Sequence, residues 1–300
     1  MNLMDYVRLA SARLDEAGVS FGHGTANAFD EAAWLVLWRL GLPLDDLDGV
    51  ADRALSAAER ASLDALVGER IATRRPAAYL TGEAWLQGVA FTVDERAIVP
   101  RSLIAEVMAD GLIDPWLPAD AARVLDLCTG NGSLAVLAAM AWPEAAIDAS
   151  DLSADALAVA ALNVARHGLG RRVALHQGDG LRAIPHSRRY DLILCNPPYV
   201  NAASMRELPP EFRAEPELAL AGGADGMDFI RPLLAGAPRH MTDGAVLVLE
   251  IGNERPSFEA AFPALEVAWL PTQSHDDGVL LATRAMLERG LGRAASRKTP

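Results

Sequence analysis

Cysteine is scarce: the 300 residues contain two, Cys128 and Cys195. That count excludes a disulfide framework, and neither cysteine has the spacing of a metal site. Both read as small buried hydrophobes of a reducing compartment, and no metal is expected. Basic residues are outnumbered, Lys+Arg 27 against Asp+Glu 40, for a net charge of −13. This speaks against a large nucleic-acid face, which needs a basic surface, and leaves room for a basic protein partner. No apolar run approaches the ~18 residues of a membrane span. The opening Met1-Asn2-Leu3-Met4-Asp5-Tyr6 lacks the basic and apolar regions of a signal peptide. No internal repeat and no long low-complexity run occurs. What is present is core material, 51% hydrophobic against 22% charged residues. The length suits about two domains of ~150 residues each. A soluble, cytoplasmic protein is expected.

Residues 1–74 read as a small helical bundle, a candidate for substrate recognition. Leu3, Tyr6, Val7, Leu9, Ala10 and Leu14 recur at helical spacing. Ala33, Val36, Leu37 and Leu40 form a second stripe that ends near Gly41 and Pro43. Ser56 and Glu59 make a capping-box pattern that opens a third helix, carrying Leu63, Leu66, Val67 and Ile71. Trp34 and Trp38 share a face and read as packing. Residues 75–102 change character and read as a β-hairpin linker, with Gln87-Gly88 as its turn. Pro100 ends the strand, and Ser102 is expected to cap the next helix, with Glu106 on that helix's face.

From 103 to 289 the pattern alternates strand and helix, as in a doubly wound α/β sheet. Strands are expected over 123–127, 146–151, 173–176, 190–195 and 244–251, with a closing antiparallel pair over 265–270 and 278–283. Helices are expected over 133–141, 154–168 and 229–239, and 290–300 reads as a flexible tail.

The most informative stretch is Asp191-Leu192-Ile193-Leu194-Cys195-Asn196-Pro197-Pro198-Tyr199, a hydrophobic strand running into an Asn, two prolines and an aromatic ring. Proline holds φ near −65° and pushes the residue before it towards extended backbone. Asn196 is thereby held at a strand end, its side-chain amide and the Pro197 carbonyl free to face a ligand. Tyr199 adds a flat wall. Two acceptors and a wall are what a planar –NH2 group needs.

A second stretch, Asp126-Leu127-Cys128-Thr129-Gly130-Asn131-Gly132-Ser133, joins a strand to a helix. Its glycines allow positive φ and close approach of a ligand, at the carboxyl end of the strands. Gly130, Gly132 and Ala135 satisfy a dinucleotide pattern. Asp126 and the loop amides equally suit a nucleoside with an amino-acid tail. Asp151, with Leu152 beside it, ends the second strand, where an acid takes ribose hydroxyls; Asp179, before Gly180, would accept from an adenine amine. The glycine pattern alone decides nothing. The two stretches together do: methyl transfer from S-adenosylmethionine to a planar amide nitrogen uses both loop and grip, whereas a dehydrogenase has no use for the second.

At these residues the chain resembles a class I methyltransferase and, within that group, the bacterial protein-glutamine amide methyltransferases. The resemblance runs from Arg75. It is carried by Arg75-Pro76-Ala77-Ala78-Tyr79-Leu80-Thr81-Gly82, by Val93-Asp94-Glu95-Arg96 with Val99-Pro100-Arg101-Ser102, by the 126–132 loop, and by Asn196-Pro197-Pro198-Tyr199-Val200. One branch of that family methylates peptide-chain release factors, the other ribosomal protein three of the large subunit. The former usually follows Pro-Arg with Pro-Glu-Thr and has Gly where this chain has Cys128. The segment Leu208-Pro209-Pro210-Glu211-Phe212-Arg213-Ala214-Glu215-Pro216-Glu217-Leu218-Ala219-Leu220-Ala221 is similar to the latter, which is the branch expected.

The resemblance implies a Rossmann-like, mostly parallel seven-stranded sheet and a transferase using S-adenosylmethionine, with S-adenosylhomocysteine as product and no metal. It implies cofactor contacts at Asp126, Cys128, Thr129, Gly130, Asn131, Gly132, Asp151, Leu152, Asp179, Gly180 and Asn196. Catalysis would fall to Asn196, Pro197, Pro198 and Tyr199, and substrate binding to Asn196, Pro197, Tyr199 and Arg101. The partner would be ribosomal protein three in assembling ribosomes, with no DNA and no membrane. Glu207, Glu211 and Glu215 read as a solvated face or, in the alternative, as a face that meets a basic ribosomal protein, and the 206–217 segment as one that contacts the protein substrate or closes over the site. The rival readings are a release-factor methyltransferase, an adenine-amino nucleic-acid methyltransferase, a nicotinamide oxidoreductase and a non-catalytic assembly factor.

Overall fold

The computed structural model describes residues 1–118, 120–273 and 276–296. The chain opens with helices Leu3–Glu16, Ala28–Leu40 and Ala57–Thr73. Each has a local reason to start where it does. Asn2 and Asp5 form a capping box, Asn27 accepts from the Asp30 amide, and Ser56 and Glu59 form the expected box. Gly41, at φ +64°, ends the second helix. Leu3, Tyr6, Val7, Ala10 and Leu14 bury against Ala32, Val36, Leu63 and Val67 in one core. Leu9, expected in that stripe, is 42% exposed, because it falls beyond the Tyr6 edge of the arc that Leu3, Tyr6, Val7, Ala10 and Leu14 turn to the core.

A hairpin follows, β1 Glu83–Leu86 and β2 Val89–Thr92, antiparallel about Gln87 and Gly88, both at positive φ. It rests on helix Ala154–Arg166, where Asn163 bonds both the amide and the carbonyl of Thr92. Helix Ile104–Ala109 begins one residue later than expected. Leu103 sits at its cap, and the Ser102 hydroxyl accepts from the Ile104 amide while donating to Glu250.

The main sheet comprises β3 Arg123–Leu127, β4 Ala146–Asp151, β5 Val173–Gln177, β6 Tyr190–Cys195, β7 Met241–Glu250, β8 Ala268–Leu270 and β9 Val279–Thr283. Its order is β5-β4-β3-β6-β7-β9-β8, parallel through β7 and antiparallel beyond. Both faces are covered. Val124, Leu192, Leu194, Val246 and Val248 pack on one side, and Leu125, Leu127, Ile193, Leu247 and Leu249 on the other. This is why these strands read as near-continuous hydrophobic runs.

The expected helix over 229–239 divides into an α-helix Ile230–Gly236 and a 3-10 turn Ala237–His240, where Pro238 interrupts the α pattern. The flexible tail expected over 290–300 is instead helical as far as Ser296, in a helix that starts at Arg284. Leu287 is buried, and Gly290 packs where a Cβ would fall 2.8 Å from the Leu265 side chain. The glycine marks close packing rather than a break. The end of the expected tail, 297–300, lies outside the described residues. Among the described residues no helix is long and apolar enough to cross a membrane.

Candidate active site

Strand register brings the site together. Leu127 stands beside Ser150 on β4 and Cys195 on β6; Asp151 stands beside Gln177, and Cys195 beside Leu249. The loops after β3, β4, β5, β6 and β7 therefore open along one edge of the sheet. Chain order reverses between β3 and β6, and a crevice forms there, outside the carboxyl ends of the strands.

A cleft of about 790 Å³, its open mouth included, occupies that crevice, within the size range of small-molecule sites. Of the expected cofactor residues, Cys128, Gly130, Asp151, Leu152, Asp179, Gly180 and Asn196 line it. Asp126, Thr129, Asn131 and Gly132 do not; they build the loop underneath. The Thr129 hydroxyl donates to Asp126 at 2.5 Å, and both side chains are buried. Asn131 accepts from the Ser133 amide, and its carbonyl accepts from Asn163. Gly132, at φ +81°, lies where a Cβ would approach Ala160 Cβ to 3.0 Å. The Asp151 carboxylate bridges the loop, accepting from the Gly130 and Ser153 amides at 2.9 Å each. Burial pushes the Asp151 carboxyl upward and the Asp126 carboxyl up to about 7. The Asp179 carboxylate accepts from Arg182 at 2.8 Å.

A second cavity abuts the first. Arg101, Asn196, Pro197, Tyr199, Phe212, Leu220, Glu250 and Gly252 contribute to its wall. Asn196, Ile98 and Ala219 line both cavities, so Asn196 stands at the junction. Among the described residues nothing donates to the Pro197 carbonyl or bonds the Asn196 side chain. The Tyr199 hydroxyl donates to Glu250 at 3.3 Å, and its ring presses on Gly252, where a Cβ would fall 2.8 Å away. Glu250 is buried, which raises its carboxyl, and it also accepts from Ser102 at 2.5 Å. Pro198 faces the first cavity.

The 208–221 segment roofs both cavities, giving Leu208, Phe212 and Leu220 to one and Pro216 and Leu218 to the other. Of the three glutamates expected on a solvated face, only Glu207, just before the segment, is exposed, while Glu211 and Glu215 are buried. Glu215 takes both guanidinium arms of Arg101 at 2.6 Å, with His23 Nε2 3.5 Å away. Arg101 therefore grips the roof, and its charge also lies 5.4 Å from the Phe212 ring centre. Burial would raise the Glu215 carboxyl, but Arg101 and His23 outweigh it and hold it at about 2. Glu211 is met by Arg74 at 2.6 Å and Arg70 at 3.3 Å, both from the helical bundle.

Sequence reasoning missed Ser150, Phe229, Glu250 and Gly252. Ser150 and Glu250 end or nearly end hydrophobic strands, and a polar residue there was the available signal. Phe229 and Gly252 carry no local mark.

Comparison with known proteins accords with this arrangement. Residues 108–214 match the methyltransferase small domain, and residues 5–82 match the PrmC N-terminal domain. The chain is 54% identical over 287 residues to the ribosomal protein uL3 glutamine methyltransferase of Bordetella pertussis, covering 95% of this chain and 96% of that one. It is 53% identical to the protein of the same name from Burkholderia pseudomallei, covering 92% of each. The Neisseria meningitidis serogroup B protein of that name is 47% identical, over 95% of this chain and 94% of its own. The sheet is that of a class I S-adenosylmethionine-dependent methyltransferase, and the chain belongs to the ribosomal protein uL3 glutamine methyltransferase family.

Proposed function

We propose that this protein transfers the methyl group of S-adenosylmethionine to the side-chain amide nitrogen of a glutamine in ribosomal protein uL3, in the cytoplasm, where ribosomes assemble. The observation that carries the reading is the place of Asn196, shared by the cleft and the adjoining cavity. The cleft fits the cofactor. Ser150 Oγ is buried there without a hydrogen-bond partner, and Asp151 and Asp179 offer acceptors for hydroxyl and amine hydrogens. Gly180 keeps open the space beside Phe229, which a Cβ would approach to 3.3 Å. Cys128, Gly130 and Leu152 would complete the wall, over the floor built by Asp126, Thr129, Asn131 and Gly132.

Bound S-adenosylmethionine supplies an electrophilic methyl group on a sulfonium. The chain's own task is to ready a poor nucleophile, because the amide lone pair is delocalised into its carbonyl. Asn196 Oδ1 and the Pro197 carbonyl accept the two N–H hydrogens and aim the nitrogen. Those hydrogen bonds strengthen as the nitrogen gains positive charge, so they favour the transition state over the ground state. The nitrogen would then release one hydrogen as a proton to solvent water, with S-adenosylhomocysteine left as the other product. Tyr199 packs on the amide plane, held by Glu250 and Gly252. Pro198 keeps the turn rigid, and positioning accounts for much of the remaining acceleration.

Radiolabelled methyl transfer tests this directly, with purified uL3 and a release factor offered side by side. Label on uL3 is expected, and label on the release factor alone would overturn the assignment. Asn196→Ala should lower turnover by about 10²–10³-fold while S-adenosylmethionine still binds, by analogy with loss of one oxyanion-hole donor.

A further inference from the structure

A third cavity, of about 1570 Å³ with its open mouth included, lies apart from both others and shares no lining residue with them. It opens between helix Ala28–Leu40, the loop after it and the tip of the hairpin. Its wall is apolar and aromatic. Phe29 is 38% exposed, Trp85 is 46% exposed, and Trp34 Nε1 is buried without a hydrogen-bond partner. Large aromatic side chains left in water at a concave surface are costly unless a partner covers them. The rim is acidic: Asp30, Asp45, Asp46 and Asp48 all line the cavity and are exposed. No Lys or Arg is among the lining residues, and among the described residues none of the four aspartates forms an ion pair. Asp46 caps its own turn and Asp30 accepts from Asn27, which leaves Asp45 and Asp48 without such ties.

We propose that this groove docks an arginine- or lysine-bearing segment of the protein substrate, remote from the glutamine being methylated. The inference rests on the substrate reading above and deepens it. Charge selects the occupant. A second copy of this chain carries −13 and would be repelled, as would a nucleic acid. A protein that binds ribosomal RNA must carry cations for the phosphates, and such a segment matches the rim. An apolar side chain beside those cations would cover Phe29 and Trp85. The two engagements, docking here and glutamine binding at Asn196, act in tandem, so the groove sets affinity for the whole protein and leaves the chemistry untouched.

The test is steady-state methylation of full-length uL3 at varied concentration, by wild type, by an Asp45→Asn/Asp48→Asn double variant and by Trp85→Ala. All three positions are exposed. Both variants should raise KM for uL3 about tenfold, with kcat and S-adenosylmethionine affinity unchanged, and added salt should bring the wild-type KM towards that of the double variant. An unchanged KM overturns the proposal, and so does a fall in kcat at constant KM, or self-association through this face seen by sedimentation. Wild-type protein that leaves uL3 unlabelled overturns the substrate reading itself, and the docking proposal with it.

Discussion

Asp126 shows how a single side chain registers the fold. It is fully buried beneath the cofactor loop, and burial lifts its carboxyl to about 7. An unfolded chain releases that proton near pH 4. Between these values the folded form holds a proton that the unfolded form has lost, so this residue makes stability fall as pH rises from about 4 to 7. Asp126→Asn should abolish that slope, with a gain of up to about 4 kcal/mol at pH 8 and little change at pH 4. Urea unfolding of the ligand-free protein at the two pH values would show it. Cys128 stands at φ +59°, a conformation that favours glycine and costs other residues about 1–2 kcal/mol. It explains physically why a sister branch would place glycine there. Gly252 is needed on both counts: it stands at φ +52°, and a Cβ there would fall 2.8 Å from the Tyr199 ring. Gly252→Ala should displace the Tyr199 ring and cut kcat by tenfold or more, while calorimetry finds S-adenosylmethionine affinity unchanged.

The decisive element is the 208–221 roof. Two short helical turns, Pro210–Arg213 and Glu217–Ala219, alternate with prolines, so the segment has little periodic structure of its own. Its place is set by buried ion pairs to Arg101, Arg70 and Arg74. The Glu215 carboxyl is held at about 2, below its ordinary value near 4.5. The unfolded chain binds a proton first as pH falls, so the contribution of Glu215 is full above about pH 4.5 and is lost as pH drops towards 2. Glu215→Gln should therefore destabilise strongly at pH 7 and progressively less below pH 4.5, as followed by thermal melts across that range. Because Phe212 and Ala219 move with the roof, the variant should also raise KM for the protein substrate. A glutamate every fourth residue resembles a solvated helix face in sequence. Nothing local reveals that arginines distant along the chain turn two of those glutamates inward.

At the scale of the molecule, the helical bundle and the catalytic sheet are joined through charge buried at their boundary. Arg70 is wholly buried, and it serves Glu31 at 2.8 Å within the bundle, Glu211 in the roof and the Ser20 carbonyl. Arg70→Leu would leave two buried carboxylates short of a partner and should cost about 3–5 kcal/mol, the usual penalty of breaking a buried pair from one side. Denaturant unfolding would measure it, and loss of methyl transfer should accompany it as the roof loosens. The bundle thus forms part of the machinery that shapes the site.

Local patterns were sufficient for the elements themselves. The strand ends at Leu127, Asp151 and Cys195, the helix Ser133–Ala141, the capping box at Ser56 and the turn at Gln87-Gly88 all lie where the residues imply. Caps, turns and two-sided hydrophobic strands are short-range physics, and the motifs at 126–132 and 196–199 inherit their positions from strand ends. Only the tertiary structure decided which polar groups face a ligand and which face each other. Asp126 and Thr129 turn under the loop while Ser150 and Glu250 turn towards cavities. Arg101 is committed to Glu215, and Asn196 becomes the partition between two cavities. Asp126 and Thr129 are near neighbours, but Arg101 with Glu215, and Ser102 and Tyr199 with Glu250, lie about 50 to 150 positions apart and meet in a low-dielectric interior, where a charge or hydroxyl must find a partner or a ligand, and no short window of sequence contains both members of those pairs.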